Sequence, residues 1–93
     1  MAIIHTFNKI NEDGSKTELT LAARSALVNT WLAGLTAEEQ VAFHAAHARK
    51  IAMTAGQDET LAARPAVDPE WYAFWERFKS EMGVEQIDTD EYQ

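Results

Sequence analysis

Cysteine is absent from the 93 residues. Disulfides, thiol nucleophiles and cysteine metal sites are thereby excluded, and the absence fits a reducing cytoplasm. Basic residues are scarce. Eight Lys and Arg stand against fifteen Asp and Glu, giving a formal charge of −7 and a pI near 4.8. Such a field repels phosphate backbones and anionic membranes, and it favours a partner with a basic surface. No apolar run is long enough to cross a bilayer, and Met1 to Asn8 is too short and too polar for a signal peptide. A glycine-rich phosphate loop, a G-x-S-x-G elbow and a spaced histidine–carboxylate motif are all missing. The expectation is a cytoplasmic, non-enzymatic protein with no cofactor, no membrane contact and no direct contact with nucleic acid.

The hydrophobic fraction is an ordinary 46%, but much of it is alanine, which buries little area. Large side chains must supply most of the stabilisation. They concentrate between Asp68 and Gly83, where helix signals are complete. Asp68 caps, Pro69 fits the first helical position, and Gly83 can take the left-handed conformation that ends a helix. Trp71, Phe74, Trp75, Phe78 and Met82 fall on one face of that helix and form the expected core stripe.

The fold class expected from the rest of the chain is α+β, mostly helical: an N-terminal β-hairpin packed on three α-helices. The hairpin covers 3–21, with strands Ile3–Ile10 and Ser15–Leu21 flanking Glu12-Asp13-Gly14. A three-residue loop with Gly14 left-handed pairs Phe7 with Leu19 and His5 with Leu21. Ile3, Phe7, Leu19 and Leu21 then share one face, a cleaner alternation than a two-residue turn allows. A lone two-stranded ribbon is marginal in water, so it leans on the helices or gains a partner's strand at an open edge. A first helix is expected over about 22–33, stopped by Gly34. The second covers about 37–55, opening with the capping box Thr36-Ala37-Glu38-Glu39 and ending at Gly56. Its Val41, Ala45, Ala48, Ala52 and Ala55 read as a narrow seam for a neighbouring helix. Asp58 can cap a single turn through Ala63, barred from continuing by Pro65. The third helix spans 69–82. Residues 1–83 form one small domain on this reading, and 84–93 an acidic C-terminal tail.

Three constellations bear on function. His44 and His47 sit one helical turn apart and are the metal candidates, but zinc would need a third ligand from His5 or a carboxylate elsewhere, and the metalloprotease spacing is missing. The helix–turn–helix pattern of 22–55 puts Glu38 and Glu39 at the end that would meet DNA phosphates, which argues against DNA reading. Ser25 and Ser80 read as structural. Partner contacts are expected instead from Tyr72, which lies off the Trp71/Trp75 face, and from the tail. Glu85, Asp88, Asp90 and Glu91 steer the tail towards a basic surface, with Ile87 and Tyr92 as its apolar anchors. In general character the chain resembles the small acidic accessory proteins of bacteriophages and mobile elements, a resemblance of composition and not of motif. The functional expectation is an acidic protein–protein interaction module, such as an inhibitor of a basic, nucleic-acid-binding host protein. The alternatives are a self-associating component of a larger particle such as a virion and, third, a small metal-binding protein.

Overall fold

The computed structural model describes residues 3–55 and 66–90. The order of elements is β1 (Ile3–Ile10), β2 (Lys16–Glu18), α1 (Leu21–Ala33), α2 (Ala37–Thr54), α3 (Pro69–Met82) and β3 (Val84–Asp90). The fold is α+β and mostly helical, with three helices packed on an antiparallel sheet. The expected Asp58 turn, the Gly56 stop, Pro65, Glu91 and Tyr92 lie outside the described residues.

The hairpin adopts the three-residue register. Asn8 pairs with Glu18 and Ile10 with Lys16, the Leu19 N–H donates to the Phe7 carbonyl at 2.7 Å, and Gly14 sits at φ +86°. The second strand is shorter than expected. Thr20 accepts from the Ala23 N–H and starts α1, so Leu21 is 68% exposed instead of joining the inward face.

The main departure concerns the segment after Gly83. It is not a loose tail through Asp90: it is the third strand of a β2-β1-β3 sheet. Gly83, left-handed at φ +63°, is the whole connection between α3 and β3. Its carbonyl already accepts from the Ile10 N–H at 2.8 Å. β3 then runs antiparallel to β1 from Val84↔Lys9 to Asp90↔Ile3. The Lys9 ammonium donates to the Met82 carbonyl at 2.7 Å, covering an open C-terminal carbonyl of α3 with the charge the helix dipole favours. β1 is therefore the central strand: β3 closes the edge along Thr6, and the edge along Glu18 of β2 is the one on the outside of the sheet.

The inward face of the sheet carries Ile3, Phe7 and Val84, each under a tenth exposed. Trp31 and Leu32 of α1, Phe43 of α2 and Phe78 of α3 pack against it. The rings meet edge to face, as their quadrupoles favour: Trp31 with Phe43 at 5.8 Å and with Phe78 at 5.6 Å, Phe7 with Trp75 at 5.8 Å. The aromatic helix is core, as its spacing predicts. The second helix is turned the other way from expectation. It buries Phe43 and Ala46, while Val41, Ala45, Ala48, Ala52 and Ala55 face solvent. The large Phe43 ring decides the orientation, because burying it outweighs burying a row of methyl groups.

Charged side chains tie α2 to α3. Asp68 caps α3 through the Trp71 N–H at 3.0 Å and also receives Arg49 at 2.8 Å, while Arg49 reaches Glu70 at 2.9 Å. Arg77 bridges Glu39 and Glu81, each at 2.6 Å. Hydrogen bonds from Arg49 hold the Asp68 carboxyl below its ordinary value, and those from Arg77 do the same for Glu39 and Glu81. A carboxyl with a lowered folded pKa stabilises above its unfolded pKa, and the contribution is lost as pH falls through the folded value. Acid titration followed by circular dichroism should therefore show stability declining below about pH 4.5. Asp68→Asn should lower the melting temperature at pH 7, and the gap should close towards pH 2. A gap that stays constant across the titration would show that the charge of Asp68 contributes nothing to stability.

Candidate functional site

Two surfaces stand out, one on each side of the sheet. The first is a groove of about 710 Å³ where α1, α2 and α3 meet the inward side of β1 and β3. Its floor is aromatic. His47 stacks on Trp71 at 4.6 Å and 18°, Trp71 on Trp75 at 5.3 Å and 20°, and Trp75 on Phe78 at 5.0 Å. The i, i+4 spacing of Trp71 and Trp75 aligns their rings on α3. Tyr72, 56% exposed, stands at the rim.

Polar groups of β1 and β3 line the far end of the groove. Trp75 Nε1 donates to Gln86 Oε1 at 2.8 Å, and Gln86 Nε2 donates to Asp88 Oδ1 at 2.9 Å. His5 Nδ1 lies 2.7 Å from the same Asp88 oxygen. All three histidines of the chain, His5, His44 and His47, line the groove. His44 is exposed, whereas His47 is half-buried and covered by Trp71. Burial first, then the nearby charges of Lys50 and His44, push the His47 imidazole below its ordinary pKa of 6.5, so it is neutral at pH 7. Among the described residues no three His, Asp or Glu side chains are placed to share a metal ion.

The second surface is the outward side of the sheet. Strand alternation places Ile4, Thr6, Asn8 and Ile10 there, with Glu85, Ile87 and Thr89 opposite. Ile4 is 47% exposed, and Ile10 and Ile87 are each 42% exposed. Lys16 and Glu85 pair across the strands at 2.7 Å, and Glu18 lies beside Asn8. All three helices pack on the opposite, Phe7-bearing side.

The expected partner-binding residues are thus divided between the two faces. Glu85 and Ile87 point outward. Asp88 points into the groove, and Asp90 shares its side of the strand. Tyr72 belongs to the groove. The groove residues that sequence reading did not connect are Arg24, Lys50, Lys79 and Gln86. They come from four different elements, and no spacing along the chain links them. Among the described residues no helix is long and apolar enough to cross a membrane.

No protein-family model matches this chain, and no curated protein and no solved structure matches it.

Proposed function

We propose that this chain is a non-enzymatic protein-binding module that docks through the outward side of its sheet. The exposure of Ile4, Ile10 and Ile87 on that one face carries the reading. Single exposed isoleucines are ordinary, but an antiparallel sheet with one solvated side normally alternates apolar inward with polar outward. Here three isoleucines stand where that alternation calls for polar residues. Ile4 and Ile87 are diagonal neighbours across the strands, with Thr6 and Thr89 completing the square. The chain's charge of −7, with Glu18 on the same face and Glu85 there paired with Lys16, fits a partner whose apolar contact is rimmed by Lys or Arg. A nucleic-acid-binding protein has such a rim, and occupying it would make this chain its inhibitor.

A second reading has its own observation. The outward side of α2 from Val41 to Ala55 offers alanine methyls, Val41 at 70% exposure and Ile51 at 52%. Such a surface suits close approach by another helix, including that of a second copy in an assembly.

Photo-crosslinking residues placed singly at Ile87 and Val41, in cells that naturally contain the protein, distinguish the two. The docking reading expects an Ile87 adduct to a different chain, at a segment flanked by Lys or Arg. It also expects Ile87→Asp to abolish that adduct from a probe at Ile4 while leaving the melting temperature within about 3 °C, because the site is exposed. Adducts only at Val41, only to the same chain, and a dimer mass in light scattering would replace docking with assembly.

A further inference from the structure

The chain has nearly twice as many acids as bases, so a base without a carboxylate partner is unexpected. Most described cations conform. Arg49, Arg77, Lys16 and Lys79 each hold a carboxylate, and Lys9 holds the Met82 carbonyl. Arg24 and Lys50 form no ion pair among the described residues, and both line the groove. Both are half-buried there. Arg24 extends from α1 across the Phe7 ring, its guanidinium 4.4 Å from the ring centre. Lys50 comes from α2. Of the carboxylates among the described lining residues, Glu76 holds Lys79 at 2.7 Å and Asp88 holds His5 at 2.7 Å. Among those described residues three cations, Arg24, Lys50 and Lys79, stand against two carboxylates, the reverse of the balance of the whole chain. The stacked shelf of His47, Trp71 and Trp75 lines the same groove.

The geometry points to a binding site in this groove for a small planar aromatic compound that carries an anionic group, either a carboxylate or a phosphate. The part-exposed Trp71 and Trp75 rings that line the groove offer aromatic contact to a ring. Arg24 and Lys50 supply charge-assisted donors to the anion in a partly water-excluded site, where such bonds are strongest. Exposed Ser25 and Asn29 of α1 add donors on the wall beside Arg24. The volume of about 710 Å³ lies within the usual range for small-ligand pockets, roughly 300–1,000 Å³. The aromatic floor alone would accept neutral rings. The unpaired cations are what select an anion. This inference is independent of the sheet-face reading, because the two surfaces lie on opposite sides of β1 and β3.

Amide-resolved NMR titrations of the full chain test it with two anionic probes, indole-3-acetate and adenosine 5′-monophosphate. Indole-3-acetamide and adenosine serve as their neutral counterparts. The expected result is saturable binding of at least one anion, with shifts centred on Arg24, Lys50, Trp71 and Trp75. The neutral counterpart should bind about tenfold more weakly or worse. Preference for indole-3-acetate would identify an aryl carboxylate, and preference for the nucleotide a phosphate. Lys50→Gln and Arg24→Gln should each weaken the anion about five- to tenfold. Ser25→Glu, at an exposed α1 position that should fold normally, should do the same by adding a negative charge to the wall. Equal binding of anion and neutral counterpart, no binding of either anion, shifts outside the groove, or indifference to both Lys50→Gln and Ser25→Glu would each overturn the assignment.

Discussion

Phe78→Ala is expected to unfold a large part of the population at 37 °C. Phe78 is fully buried, with no exposed surface, and meets the rings of Trp31 at 5.6 Å and Trp75 at 5.0 Å. Its truncation removes the ring's transfer free energy and leaves a cavity that three helices and a sheet cannot all close, a cost of about 3–5 kcal/mol. Domains of this size are typically stable by only about 5–15 kcal/mol, and a chain with alanine as a large share of its apolar residues belongs to the lower part of that range. Urea denaturation followed by circular dichroism measures the loss. Trp75→Phe is the control. It keeps most of the ring packing and removes the bond to Gln86, for about 1 kcal/mol. A Phe78→Ala protein within about 1 kcal/mol of the parent would mean that the helices are not joined through this side chain.

Ending the chain after Ile87 is expected to lower the melting temperature by roughly 10 °C. The truncation removes the pairs of Asp88, Thr89 and Asp90 with His5, Ile4 and Ile3. It also breaks the His5–Asp88 contact and uncovers Ile3, 7% exposed in the intact sheet. An acidic segment held by charge alone would behave differently, leaving the melting temperature unchanged while altering only the salt dependence of binding. That outcome would show that the Asp88–Asp90 end of the β1–β3 ladder contributes nothing to stability in solution.

These two positions also mark how far the sequence could be read. Helix α3 was fully legible because every signal for it is local. Asp68, Pro69 and Gly83 act within one turn of the helix ends, and the Trp71–Met82 stripe needs only the helical repeat. The capping box of Thr36 and Glu39 and the hairpin register at Gly14 are local in the same sense, and both form as expected. The α2 seam was misread because alanines at helical spacing do not say which side is buried. Phe43 settles that only once Trp31, Trp71 and Phe74 surround it.

Strand β3 was beyond local reading for a more specific reason. Its inward positions after Val84 are Gln86, Asp88 and Asp90, and its apolar Ile87 points outward, so the alternation runs against the usual rule. Gln86 and Asp88 tolerate the inward side because Trp75, His5 and each other supply their hydrogen bonds. Those partners lie on elements far apart in the chain. The groove has the same origin, since Arg24, Lys50 and the Trp71–Trp75 shelf are brought together only when α1, α2 and α3 converge on β1. The sequence by itself determined three helices, the capping box of α2, both caps of α3, the hairpin register and the aromatic core stripe, because each is set by backbone groups and side chains within a few residues. The tertiary structure decided the third strand, the burial side of α2 and the charge-inverted groove, because each depends on hydrogen bonds, ring contacts and charges between residues with no common position along the chain.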